Sequence, residues 1–379
     1  LSHAFAENAM NISQHALWQS QVEQVDWLGL SLPLVSVIID NYNYGKFLQE
    51  AVESVFRQSY PSIECIIVDD ASTDDSRRVI QDILRDHPKV ITVLRKENGG
   101  QSSACQDGFD ASSGQYVIFL DADDFLLPSA VETHIYVHLS LRIPVGFSSG
   151  DMLQSVNGEV VLGTRQNLSD HIRSGKGRCP DLLRPIDECL GKLYPLEPMA
   201  WLEEKVHLVE PHSAFWVWSP MSGNCFRRDA LQLVLANHAL TSLKRSSDAY
   251  LNLGINVLTG SVLIDQPLAV YRHHSANGLA RHPHLNGFFS FKRGREPDNS
   301  QIGRLLLIDY FMDCSDDLIR RSSPRHFIDA LQELGRHASF HGAPYYLSRQ
   351  VWTRWKALRE HFSFWDLARW YAGLRRKKM

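Results

Sequence analysis

Tyr116-Val117-Ile118-Phe119-Leu120-Asp121-Ala122-Asp123-Asp124 is a short apolar run that stops abruptly in carboxylates. Strands buried on both faces of a parallel sheet read as such runs. Open α/β sheets bind ligands just beyond the carboxyl ends of their strands. Two carboxylates one residue apart at that edge, Asp121 and Asp123, suit a hard divalent cation that holds phosphate oxygens. The stretch therefore predicts a buried strand, from Tyr116 to Leu120, that ends in a metal and a phosphate-bearing substrate.

The pattern repeats upstream. Leu34–Ile39 is an apolar, β-branched strand that closes in Asp40-Asn41-Tyr42-Asn43. Phe47–Gln58 carries apolar residues at helical spacing and ends at Tyr60-Pro61. Glu64–Val68 is a second strand, closed by Asp69-Asp70. Ser72, Thr73 and Asp74 are natural caps for a helix that carries Val79, Ile80, Ile83 and Leu84. Val90–Leu94 is a third strand, Asn98-Gly99-Gly100 a turn, and Ser102–Ala111 a short helix. Successive βα units predict a three-layer α/β sandwich around a mostly parallel sheet. Two further residues face the acidic edge. Asp70 either caps the next helix or accepts a hydrogen bond from a nucleobase N–H. Tyr42 offers a ring on which a planar base stacks.

Downstream, a helix follows Pro128, Val145–Ser149 reads as a strand, and Val156-Asn157-Gly158-Glu159-Val160 as a hairpin with an Asn-Gly turn. Residues 163–212 lack clean periodicity, and long irregular stretches inside domains are often functional. Ala214–Trp218, Asn224–Phe226, Ser261–Ile264 and Leu268–Tyr271 are expected strands, with helices near Asp229–Ala236 and Asp248–Leu258. From about Gln301 the pattern is helical. Trp352, Trp355, Leu358, Phe362 and Trp365 line one segment amid many arginines. That segment either packs on the preceding domain or lies peripherally on an acidic bilayer surface.

Composition excludes several classes. The chain has 379 residues, 44% hydrophobic and 22% charged, with a formal net charge of -4. That near balance carries no nucleic-acid signature. The six cysteines form no C-x-x-C pair, so a zinc site or disulfide framework is not expected. No apolar run approaches the ~18 residues of a membrane span, and the polar stretch Leu1–Leu30 lacks the features of a secretory signal. A cytoplasmic location, with peripheral contact at the inner membrane face as the variant, is the expectation.

These elements together resemble the family 2 glycosyltransferases of the GT-A fold. The resemblance is carried by Val35-Ser36-Val37-Ile38-Ile39-Asp40-Asn41-Tyr42-Asn43, Ile66-Ile67-Val68-Asp69-Asp70, Glu97-Asn98-Gly99-Gly100 and Phe119-Leu120-Asp121-Ala122-Asp123-Asp124. It covers about residues 33 to 130 and is looser from Ala214 to His274. It implies a catalytic domain over 33–275, made of a nucleotide-sugar half (33–130) and an acceptor-side half (131–275). An N-terminal extension (1–32) and a helical C-terminal extension (276–379) flank it. The implied nucleotide-binding set is Asp40, Tyr42, Asp70, Asn98, Gly100 and Asp121. Tyr42 stacks on uracil, Asp70 binds the base edge, and Asp121 contacts the ribose or metal region. Asp123 coordinates Mn²⁺ or Mg²⁺ on the diphosphate, and His274, in a Tyr-Arg-x-His element, touches the diphosphate or metal. Asp248 is the implied catalytic base, with Ser247 in place of the usual first acid; the lesser alternative is that Asp248 only caps its helix. Asp40 and Ala104-Cys105-Gln106 depart from the family pattern, which has Pro or Thr and Ala-Arg-Asn there.

The resemblance implies inverting transfer of a sugar from a nucleotide-diphosphate donor, a UDP-sugar, to a hydroxyl of a glycan, lipid-linked or other acceptor in cell-surface polysaccharide synthesis. The alternative is a non-catalytic nucleotide-sugar-binding or scaffold protein with a decayed site. An aspartate-nucleophile phosphatase fits less well, because Phe125 stands where it has Thr or Val. A dinucleotide oxidoreductase lacks its G-x-G-x-x-G after the first strand.

Overall fold

The structure, a computed structural model, describes residues 31–184, 200–211, 216–274, 277 and 299–336, with Thr353, residues 358–363 and Trp365. The expected extension before residue 31, most of the Trp-rich C-terminal segment, Cys189, His282 and His284 lie outside the described residues.

The first half alternates without exception. Its elements are β1 (Val35–Asn41), α1 (Gly45–Phe56), β2 (Ile63–Asp69), α2 (Ser76–Asp86), β3 (Ile91–Leu94), α3 (Gln101–Ala111) and β4 (Tyr116–Asp121). β5 (Phe125–Leu126), α4 (Ala130–Ser140), β6 (Phe147–Val156), β7 (Glu159–Leu162), α5 (Gln166–Arg173), β8 (Val206–Val209), β9 (Asn224–Arg227), α6 (Arg228–Leu235), α7 (Ser247–Thr259) and β10 (Ser261–His273) follow. Three helices close the described chain: α8 (Asn299–Asp313), α9 (Ser315–Arg321) and α10 (Pro324–Arg336).

The sheet runs β3-β2-β1-β4-β9-β6-β10-β5, with β7 beside β6 and β8 beside β10. β3, β2, β1 and β4 are parallel to one another, as are β6 and β10. The short β9 sits antiparallel between the two groups. This is the α/β sandwich that the sequence predicts. Period-two alternation fills both faces. Val35, Val37, Ile39, Ile118 and Leu120 pack toward α1, α2 and α4. Ile38, Val117 and Phe119 pack toward α3 and α7. Leu307 and Phe311 of α8 and Phe327 of α10 belong to this second core, and so do Leu358 and Phe362. Gly254 permits the close approach, since a Cβ there would lie 2.7 Å from Leu307.

Some elements differ from expectation. The two last expected strands are one 13-residue strand, β10, whose register slips around Pro267. Proline has no ladder N–H, so it marks a bulge rather than a strand end. β6 extends far past Ser149, because its buried Ser148, Ser149, Gly150 and Asp151 disguise it. The irregular stretch holds α5 and β8. Residues 216–218 of the expected Ala214–Trp218 strand are irregular and bury Trp218.

Where α4 crosses β6, two histidines share one serine. Ser148 Oγ lies 2.7 Å from His134 Nδ1 and 3.1 Å from His138 Nε2, which also approaches the Cys225 carbonyl at 3.3 Å. Burial pulls His134 down to about 3 and His138 down to about 4. The unfolded chain takes up these protons near 6.5, so between 6.5 and 4 it binds more protons than the fold does. Their contribution to stability is present above pH 6.5 and lost as pH falls toward 4, by at most about 1.4 kcal/mol per pH unit for each histidine. Urea midpoints measured across that range should fall more steeply for the wild type than for the His134→Gln/His138→Gln variant; equal slopes count against this account.

Candidate functional site at the carboxyl edge of the sheet

In β1 and β4 the same alternation that fills the core aims two carboxylates together. Asp40 and Asp121 are in-register neighbours, and each lies two residues after a member of the α3-facing core, Ile38 and Phe119. The chain then turns so that Asp121, Asp123 and Asp124 bring oxygens within 4.8 Å of one another. Burial, and next the charge of Asp123, push the Asp40 carboxyl up to about 7. Burial, and next Asp40, raise Asp121 well above the carboxylate range. Asp40 Oδ1 is buried and has no hydrogen-bond donor among the described residues. Hard oxygen donors that repel one another, with one buried oxygen left over, fit a divalent cation.

The three acids after β4 have different surroundings. Asp124 is fully buried and braces the fold. It accepts from Ser222 Oγ at 2.8 Å and from the Arg272 N–H at 3.1 Å, which ties the end of β4 to β10. Asp121 accepts from Gln101 Nε2 at 2.9 Å, and its own N–H donates to Ser222 Oγ at 3.2 Å. Asp123 Oδ2 lies 2.9 Å from His274 Nε2 and 3.0 Å from Asn277 Nδ2.

Asp70 stands at the end of β2 and is buried, but it does not cap α2. Asp74 takes the Ser76 N–H instead, and Ser72 Oγ accepts from Asn41 Nδ2 and the Asn43 N–H. The Asp70 carboxylate accepts the Gly99 N–H at 2.9 Å and the Gly100 N–H at 2.7 Å, and pairs with Arg95 Nε at 3.0 Å. It thereby shapes the Asn98-Gly99-Gly100 loop, with Asn98 exposed at its rim. Gly100 has φ 84°, and a Cβ there would lie 2.6 Å from the Lys244 carbonyl, so only glycine suits the position. Tyr42 is 44% exposed, its ring open to a stacking partner. The neighbouring Tyr44 instead packs edge-on against His274, with ring centroids 5.5 Å apart.

Asp248 lies in the first turn of α7, accepts the Ala249 N–H at 2.8 Å, and is raised by burial while Arg165 lowers it. Its charge bears on Asp121, and Gln101, which reaches both Asp121 and the Ser247 N–H, sets the first turn of α7 beside the end of β4. Ser247 is fully buried, and its Oγ lies 2.8 Å from Ser102 Oγ. The Gln101 N–H donates to the Lys244 carbonyl at 3.0 Å, and Gln101 Oε1 accepts the Ser247 N–H at 3.4 Å. Gln101 therefore joins the end of β4 to the start of α7.

The structure gathers Asp40, Asp121, Asp123, Asp248 and His274 at one edge, with Asp70 and Gly100 holding the adjoining loop. Sequence reading missed Gln101, Arg95, Arg165 and Asn277. Only Asn277 left a trace there, as a polar residue three positions after His274.

Six strands in one direction, helices on both faces and an acidic carboxyl edge define an open, doubly wound α/β protein. Residues 36–139 match the profile of the family described as Glycosyl transferase family 2. The chain is 32% identical over 186 residues to an uncharacterised glycosyltransferase of Nostoc sp., an overlap of 44% of this chain and 55% of that protein. It is 42% identical over 101 residues to the chondroitin synthase of Escherichia coli, covering 27% of this chain and 15% of the synthase. The chain thus spans about half the length of the first relative and far less of the second. The crystal structure of S. aureus TarS in complex with UDP aligns with a TM-score of 0.49 at 15% identity, over 87% of this chain and 93% of that one.

Replacing Asp70 by Asn puts an amide NH₂ against backbone donors and removes the charge beside Arg95. Leaving such buried donors unmatched costs about 1–3 kcal/mol. Chemical denaturation of Asp70→Asn should report a loss of that size, and an unchanged midpoint would refute the loop-shaping role.

Proposed function

We propose that the chain is an inverting, metal-dependent glycosyltransferase that moves a sugar from a nucleoside-diphosphate donor, a UDP-sugar, to an acceptor hydroxyl in cell-surface polysaccharide synthesis. The acceptor is a glycan or a lipid-linked sugar. The observation that carries this reading is the meeting of Asp40, Asp121 and Asp123 at one sheet edge, with Gln101 linking Asp121 to the first turn of the helix that bears Asp248.

Asp121 and Asp123 would hold Mn²⁺ or Mg²⁺, which when bound neutralises the negative charge that develops on the departing diphosphate. Tyr42 stacks on the base. Asp70, with three of its roughly four acceptor positions filled, retains one for a base N–H. The backbone of Asn98 and Gly100 lines the same side. Asp40 adds a carboxylate near the ribose. Asp248 takes the proton from the acceptor hydroxyl as that oxygen attacks the anomeric carbon from the face opposite the leaving group. The burial that raises Asp248 also makes it a stronger base than a solvated carboxylate. The catalytic domain would span 33–275, and α8 to α10 would be the start of a helical extension that braces α7. No helix among the described residues is long and apolar enough to cross a membrane. Trp365 is 69% exposed and would supply any peripheral membrane contact.

The test is calorimetric titration with UDP-, GDP- and other nucleotide sugars, with and without Mn²⁺. Tight binding that needs the metal is the expected result; no binding of any nucleotide sugar overturns the proposal. Asp123→Ala should lose both transfer and the metal-dependent part of binding, and wild-type turnover in that variant with Mn²⁺ present would sink the assignment. Asp248→Asn should keep donor affinity and lower turnover by about 10²–10⁴-fold. Lost donor affinity would instead mark Asp248 as a binding residue.

A further inference from the structure

We propose that Arg165 is an anion-binding residue on the acceptor side, and that the acceptor is an acidic sugar with a carboxylate or phosphate near the hydroxyl that is glycosylated. The inference rests on the proposed transfer reaction, in which Asp248 meets that hydroxyl, and it narrows the substrate class.

Three features carry it. The first is how firmly the chain fixes the residue. Arg165 stands at the corner between β7 and α5. Its N–H donates to Asp151 Oδ1 at 2.7 Å, and the Thr164 hydroxyl donates to Asp151 Oδ2. The Thr164 carbonyl accepts from Gln154 Nε2 at 2.8 Å, and Gln154 Oε1 meets His273 Nε2 of β10 at 2.9 Å. Asp151 and Gln154 are both buried. Two buried polar side chains of β6 thus hold one corner of the chain in place. The Asp151 carboxylate directs its bonds to main-chain N–H groups and Thr164, and leaves the guanidinium alone.

Second, the guanidinium has a seat and no counter-ion. Its carbon lies 5.3 Å from the centroid of the Tyr271 ring. Among the described residues no carboxylate pairs with it. A guanidinium laid on an aromatic face keeps N–H donors at its edge, and their fork matches the oxygens of a carboxylate or phosphate. Third, the residue stands beside the expected base. Its charge bears on Asp248 and on Tyr271. The donor carries its own negative charge on the diphosphate, which the proposed reading assigns to the cation at Asp121 and Asp123. Arg165 comes from the other half of the sheet, after β7, where an anion on it would lie beside the hydroxyl that approaches Asp248.

The experiment uses the full chain saturated with UDP and Mg²⁺. D-glucuronate, glucose 6-phosphate and glucose are the probes, read by saturation-transfer NMR. The two anionic sugars should bind about 10–100-fold more tightly than glucose, the range of charge-assisted hydrogen bonds. Arg165→Gln should abolish that preference, with UDP affinity and thermal midpoint little changed. Arg165→Lys, which keeps the charge without the fork, should retain part of it. Equal binding of all three sugars by the wild type overturns the inference, and so does a preference that survives in Arg165→Gln. Calorimetry with UDP-glucuronate and UDP-glucose separates the two sides of the reaction. Their affinity ratio should be the same in wild type and Arg165→Gln. A selective loss of UDP-glucuronate would assign the residue to the donor and overturn the acceptor role. A wild-type chain that binds no UDP overturns the transferase reading itself, and the acidic acceptor with it.

Discussion

Like charges held together out of water are the constraint on which this molecule turns. Two carboxylates about 5 Å apart repel by about 3 kcal/mol at an effective dielectric near 20, and the end of β1 and β4 gathers several. The fold meets this in stages. Asp124 is neutralised by structure, through Ser222 and the backbone of Arg272. Asp70 is absorbed by two glycine N–H groups and Arg95. Asp40 and Asp121 are left unbalanced, with raised affinities for a proton. The part of that rise that comes from neighbouring carboxylates favours any cation placed among them. The sheet edge is therefore tense until something positive arrives, and the rest of the architecture keeps it that way.

Much of this was legible in the sequence. An apolar run ending in acid is written locally, because each βα unit is built from neighbours in the chain. β1 to β4 were expected within a residue or two, and so were Asp40, Asp70, Asp121 and Asp123 at one edge. What escaped depends on contacts between distant segments. Gln101 looks like any polar residue at a helix start until α7 docks against it. Asn277 gains meaning only when the chain after β10 folds back onto Asp123. β6 was shortened on paper because its buried residues include serine, glycine and aspartate, whose partners lie elsewhere. The partner of Ser247, the Ser102 hydroxyl, likewise lies on a distant segment.

The helices after residue 299 bear on the same site from behind. α8 reaches α7 at Gly254, and Leu307 and Phe311 share a core with Leu251 and Ile255. Asp248 therefore sits on a helix fixed at both faces, by Gln101 and Ser102 toward the sheet edge and by α8 toward the outside. On the proposed reading, in which Asp248 takes a proton from an acceptor hydroxyl, such support holds the carboxylate in the geometry the step needs.

The antiparallel strand β9 has a further implication. It joins β4 through Tyr116 and Val117 alone, and it joins β6 through three residues. Beyond those pairs the far flank of β4 has no ladder, and the Ser222 hydroxyl stands in for a neighbouring strand at Asp121. The two halves of the sheet are thus joined by β9 at the base of β4 and, past the acids, by β5 on β10 and Asp124 on the Arg272 N–H, with a gap in the ladder between. A seam of this kind lets the second half change its loops and depth while the first keeps its register. On the proposed reading, the acceptor side would then vary without disturbing the donor side.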